Sequence, residues 1–199
     1  MKTSKRFLPH RLAWLGEVLA GAGKFGSAIA FLGLVVGLVV GLLACSPVPP
    51  SQRSPQAEVI RVITGDTLEV KRLDQPNAIA ERVRLVGIDA PDLRQTPWGP
   101  DAQAELSQLV VGQAVRLEFI NPPRDRDNRL LAYVWQGNVL INGALVSAGL
   151  ALVSPQANGS PYEQQLRHSQ GEARTLGRGI WNPTQPLRES PASFRQTVP

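Results

Sequence analysis

Five short stretches between residues 59 and 135 are apolar every second position or β-branched throughout, and this repetition constrains the fold more than anything else in the 199-residue chain. Residues 59–63 (VIRVI) are short and β-branched. Residues 67–73 set Leu68 and Val70 against Glu69 and Lys71. Residues 82–86 place Val83 and Leu85 on one face and Arg82 and Arg84 on the other, and residues 115–119 alternate again. Residues 130–135 are more evenly apolar, as expected of a strand with neighbours on both sides. Side chains on a strand point alternately to its two faces, so each stretch predicts a short, mostly half-buried strand.

Helical patterns interrupt the strands. Residues 100–110 put Ala102, Leu106, Leu109 and Val110 on one stripe, with Pro100 at the start. Residues 142–149 predict a short helix capped by Asn142 and stopped by Gly149. Ser160, Pro161 and Glu163 form a capping-box pattern opening a third helix, with Tyr162, Leu166, Ala173 and Leu176 on one side and Gly177 and Gly179 after it. Five strands with a helix after the third predict a mainly β, α+β domain: a five-stranded OB-fold Greek-key barrel with about three packed helices.

The ends of the chain differ from this domain. Residues 25–44 (FGSAIAFLGLVVGLVVGLLA) are uncharged, long enough to cross a bilayer, and preceded by basic residues. They end at Cys45, the only cysteine, in a pattern similar to a bacterial lipobox. Residues 1–44 are therefore expected to be a signal peptide cleaved before a lipidated Cys45, or else an uncleaved membrane anchor. Either places the remainder outside the cytoplasm, tethered to a bacterial membrane. Residues 45–56 form a Pro/Ser-rich linker, residues 57–183 the domain, and residues 184–199 a disordered tail.

The formal net charge is +5, but five basic residues stand against one acidic residue within 1–44, leaving 16 against 15 beyond it. The basic balance belongs to the leader and is no argument for nucleic-acid binding by the domain. A single cysteine and two histidines (His10 and His168) exclude a disulfide framework and leave little for a histidine- or cysteine-ligated metal. What remains for chemistry is carboxylates in turns and arginines on strands. Asp66 closes the first hairpin turn, Asp89 and Asp92 bracket Ala90-Pro91, and Arg84 lies five residues before Asp89. Arg129 follows the acidic turn Asp125-Arg126-Asp127-Asn128. Brought to one end of a barrel, these groups suit a hard cation with oxygen ligands beside guanidinium forks that grip phosphate. Taken singly, they are equally ordinary turn aspartates and surface arginines.

Five motifs in order decide between these readings: Thr64-Gly65-Asp66-Thr67, the string RVRLVGIDAP over 82–91, RLLAYV over 129–134, NGALVSAGLA over 142–151, and Gly179-Ile180-Trp181. Residues 57–183 thereby resemble a staphylococcal nuclease-like (thermonuclease) domain. The resemblance implies an OB-fold and a calcium-dependent phosphodiesterase acting on DNA and also RNA, with little sequence preference. Asp66 and Asp89, with the Ala90 backbone carbonyl, match the calcium ligands. Arg84 and Arg129 match the arginines that hold the scissile phosphate, and Asp92 stands where the family carries a glutamate acting as general base. Arg126 is a further candidate phosphate contact. We expect a monomer. The alternative is a catalytically weak OB-fold module that binds nucleic acid or a protein.

Three positions depart from the family pattern. Asp92 is one methylene shorter than glutamate, which bears on a base that must reach its water. Thr64 replaces a common acidic residue, which removes negative charge near the cation. The residues after Gly149-Leu150-Ala151 are Leu152-Val153-Ser154 where the best-known member has tyrosines, so no aromatic platform for base stacking is expected there.

Overall fold

A computed structural model describes residues 54–197. The expected leader over 1–44, Cys45 and most of the linker lie outside the described residues. No helix among the described residues is long and apolar enough to cross a membrane.

The five predicted strands form as β1 (Gln56–Thr64), β2 (Thr67–Arg72), β3 (Glu81–Leu85), β5 (Ala114–Arg124) and β6 (Leu130–Gln136). Two-residue pairings add β4 (Ile88–Asp89), β7 (Val139–Leu140) and β8 (Leu152–Val153). The sheet runs β3-β2-β1-β5-β6-β7, and a parallel pairing of β3 with β6 (Val83 to Leu130, Leu85 to Ala132) brings the end strand β3 back onto β6. That pairing closes a five-stranded barrel of mixed α+β type and gives β6 the central place its evenly apolar sequence predicts. Register irregularities in β1 between Val59 and Arg61, and between Val62 and Thr64, mark where that strand bends around the barrel. The alternation is fulfilled inside: Val59, Leu68, Val70, Val83, Leu85, Val115, Leu117, Ala132 and Val134 are all buried.

Among the described residues four helices pack around the barrel: α1 (Trp98–Val110), α2 (Ile141–Ser147), α3 (Glu163–Thr175) and α4 (Pro191–Thr197). Helix α1 buries Ala102, Leu106 and Val110 of its predicted stripe, with Leu109 half-buried against the core, and buries Gly99 as well. Its close approach requires Gly65 in the first hairpin turn, where a Cβ would lie 2.5 Å from that of Ala102 and 2.9 Å from that of Ala90. The turn bearing Asp66 is thus pressed against α1 and against residue 90.

Some expectations change. The Ser160 capping box does not form: α3 begins at Glu163, with Tyr162 before it and no side-chain cap. Asn142 is not a cap: α2 begins at Ile141, and Asn142 is fully buried within it. Its Oδ1 accepts from Val134 N at 3.0 Å and its Nδ2 donates to Val86 O at 2.8 Å. A buried amide here satisfies backbone groups that the strands leave open. Leu176 follows the last residue of α3 and is exposed, so the buried side of that helix is carried by Leu166 and Ala173. The tail expected to be disordered carries α4, which returns to the domain.

Candidate active site

Asp66 sits in the β1–β2 turn with a relative exposure of 5%. Its Oδ1 accepts from the hydroxyls of Thr64 (3.0 Å) and Thr67 (3.2 Å), and its Oδ2 accepts from Ala90 N at 2.9 Å. Thr64, where an acidic residue is common in the family, therefore serves as a donor that orients Asp66. The bond to Ala90 ties the first hairpin to the segment following β4, so two loops distant in sequence are set side by side.

Arg84 projects from β3 between these loops. Its Nη1 forms an ion pair with Asp66 Oδ2, and its Nη2 contacts Asp89 Oδ1 at 3.2 Å and Ile88 O at 3.3 Å. Both carboxylates and the guanidinium are largely buried, with side-chain exposures of 8%, 13% and 15%. Nη1 nevertheless donates no aligned hydrogen bond and is otherwise without a partner. The guanidinium is held between the two carboxylates.

Asp92 and Arg129 are engaged elsewhere. Asp92 Oδ1 accepts from Arg94 Nε at 2.9 Å and from Arg94 N at 3.0 Å. These hydrogen bonds from Arg94 hold the Asp92 carboxyl below the usual carboxylate range. Arg129 immediately precedes β6, whose Leu131 is the register partner of Arg84. Its Nε donates to Asp125 Oδ2 at 2.7 Å, and its Nη2 lies 3.2 Å from Asp127 Oδ2. Asp125 also accepts from the backbone of Asp127 and Arg129, which organises the turn; burial pushes its carboxyl up, and the backbone and side-chain bonds from Arg129, with that from Asp127, outweigh it and hold it below its ordinary value. Arg126 is exposed in the same turn, with no ion-pair partner among the described residues. The structure thus brings together Asp66, Arg84, Asp89 and Ala90, and keeps Asp92 and Arg129 in separate ion pairs. The carboxylates of Asp66 and Asp89 face one arginine of the expected two.

Sequence reasoning missed Arg195. It lies in α4, and its Nη2 is 2.5 Å from Asp89 Oδ1, across 106 positions of chain. No local pattern pairs residues so far apart. Trp98 and Trp135 pack against the core, as expected of structural aromatics, and His168 is exposed on α3 beside Glu172.

Among the described residues no three His, Cys, Asp or Glu side chains converge as metal ligands. The donor chemistry still fits one kind of ion. Asp66 Oδ2, Asp89 and the backbone carbonyl of residue 90 are all hard oxygen donors, the set that calcium takes, with water completing its six to eight positions.

Residues 82–183 match the staphylococcal nuclease homologue family. The chain is 32% identical to the thermonuclease of Staphylococcus hyicus over 130 residues, spanning 63% of this chain and 75% of that protein. It is 34% identical to the thermonuclease of Staphylococcus intermedius over 128 residues, 62% of this chain and 74% of the relative. An uncharacterized endonuclease of Escherichia coli O157:H7 is 37% identical over 132 residues, 65% and 78% of the two chains. With the closed barrel and the Asp66–Arg84–Asp89 cluster, these similarities place the chain in the staphylococcal nuclease homologue family.

Proposed function

We propose that this hydrolytic nuclease is a calcium-dependent phosphodiesterase that cleaves DNA, with RNA as a second substrate class, from a membrane-tethered position outside the cytoplasm. The observation that carries the reading is the burial of Arg84 between Asp66 and Asp89. A buried, always-charged fork beside two hard-oxygen ligands matches what hydrolysis of a phosphate diester requires. Asp66, Asp89 and the Ala90 carbonyl are the groups to hold calcium, which supplies charge and coordinated water when bound there. Arg84 turns its fork from the carboxylates to the non-bridging oxygens and stabilises the charge that develops on them. Arg129 leaves Asp125 and Asp127 to hold the second side of the phosphate. Arg126 contacts the flanking backbone. Such contacts carry no base information, so little sequence preference is expected. Asp92 takes the proton of the attacking water. The tether and location rest on residues 25–45, an uncharged span ending at the lone cysteine.

The test is cleavage of DNA by the purified full chain with calcium and with chelator, beside Asp92→Glu. Cleavage is expected with calcium, to be lost in chelator, and to rise in the glutamate variant, whose extra methylene extends the base toward its water. Binding of DNA without turnover under all conditions would leave a binding module, and undiminished turnover in chelator would remove the calcium chemistry.

The Asp92–Arg94 pair adds a pH prediction. A general base works deprotonated, and Arg94 lowers the Asp92 pKa, so the acid limb of the wild-type pH–rate profile lies below the ordinary carboxylate range. Arg94→Ala removes that cause. The acid limb should then move to higher pH, and the rate on the plateau should increase as the carboxylate is freed. A profile of kcat against pH for both proteins reads this; an unmoved limb would take the base role from Asp92.

A further inference from the structure

Residues 184–197 lie beyond the segment that matches the family, yet they run back onto the candidate site. Leu187 N donates to Ile180 O at 2.9 Å, and Gln95 Nε2 donates to Glu189 O at 2.9 Å. Pro191 is buried, and the Arg94 guanidinium lies over the Phe194 ring, 5.4 Å from its centroid. These contacts hold α4 so that Arg195 Nη2 reaches Asp89 Oδ1, the same oxygen that Arg84 Nη2 contacts at 3.2 Å. Asp89 Oδ2 accepts no hydrogen bond among the described residues.

Arg84 alone does not balance two carboxylates, and α4 delivers the second positive charge. The Arg195 side chain is 42% exposed while Asp89 is 13% exposed, so the pair is open to solvent on one side only. Such a half-open ion pair is weak enough to exchange.

We propose that α4 is an autoinhibitory gate in which Arg195 is a tethered cation occupying Asp89 until a divalent ion displaces it. The inference rests on the calcium reading of Asp66 and Asp89. Because calcium and Arg195 share a ligand, each weakens the other: calcium releases α4, and loosening α4 tightens calcium. A polyanion acts in the same direction from the other partner, since phosphate competes with Asp89 for the Arg195 fork. The site therefore opens when ion and substrate are both present.

Calorimetric titration of calcium into the full chain tests the gate. Arg195→Ala should bind calcium about 5-fold more tightly than the wild type. Phe194→Ala, which keeps the charge and loosens the helix, should shift affinity in the same direction by less. Calcium should also speed amide hydrogen exchange across residues 191–197 of the wild-type chain. Equal or weaker calcium binding by Arg195→Ala, or exchange unchanged by calcium, would overturn the gate and leave the metal site standing. Absence of calcium binding in every variant would overturn the metal site and the gate with it.

Discussion

Arg84→Gln is expected to lower kcat by about 10²–10³ while leaving calcium binding intact or tighter. The two effects separate because Arg84 has two sets of partners. It lies between Asp66 and Asp89, whose oxygens a cation bound there would share with it. In the proposed mechanism its fork faces the phosphate, where charge develops, and such a guanidinium is worth about 2.7–4 kcal/mol of transition-state stabilisation by analogy with a removed oxyanion donor. Glutamine keeps most of the volume and none of the charge. Removing one partner from a largely buried cluster costs about 3–5 kcal/mol where the remaining charges are left uncompensated. The variant should therefore be less stable than wild type in chelator and regain stability with calcium. Arg129→Ala provides the contrast. Arg129 is more exposed and pairs with the acids of its own turn, so kcat should fall without a calcium-reversible loss of stability. Turnover by Arg84→Gln equal to wild type would remove Arg84 from the chemistry.

The strands of this domain were legible because barrel interiors impose a period of two, and Val83 and Leu85 against Arg82 and Arg84 spell it out. The order of elements pointed to a barrel, but closure depends on β3 pairing in parallel with β6, residues 47 positions apart by their register. No local signal encodes that. Asn142 was misread for a related reason. Asparagine before an apolar run resembles a cap, and only the positions of Val134 and Val86 reveal that its amide serves two other segments. At the site, Asp66, Arg84 and Asp89 were named from their motif and stand together. Arg129 comes from the RLLAYV motif and Asp92 from the position just after RVRLVGIDAP, yet each is held by a neighbour within four residues. Those pairings are visible in the sequence as acids and arginines at short spacing. Arg195 was illegible because its contact comes from a tail whose composition predicts fraying.

Gly149→Ala is expected to cost about 3–5 kcal/mol of unfolding free energy, far more than Gly112→Ala, although both glycines have φ +71°. The left-handed conformation penalises any Cβ at either position, and at Gly112 that is the whole effect, about 1 kcal/mol, since nothing lies within 4 Å. At Gly149 the Cβ would sit 2.2 Å from Arg178 O and 2.6 Å from Arg178 C, backbone atoms with no rotamer to yield. Gly179 meets Gly149 O in the same way, at 2.1 Å, and Ile180 N donates to that oxygen at 2.8 Å. The two turns are thus packed backbone to backbone, and an added methyl breaks the bond as well as forcing the chains apart. Urea titration should show a lower midpoint with an unchanged slope, because the unfolded chain is hardly altered. The consequence reaches the site. Ile180 O receives Leu187 N, so this contact sets where the C-terminal segment leaves the barrel and hence where α4 lies. In the folded fraction of Gly149→Ala, calcium affinity should move toward that of Arg195→Ala, because a displaced α4 no longer brings its arginine to Asp89. Affinity unchanged alongside the loss of stability would mean that α4 is held by Gln95 and Arg94 alone.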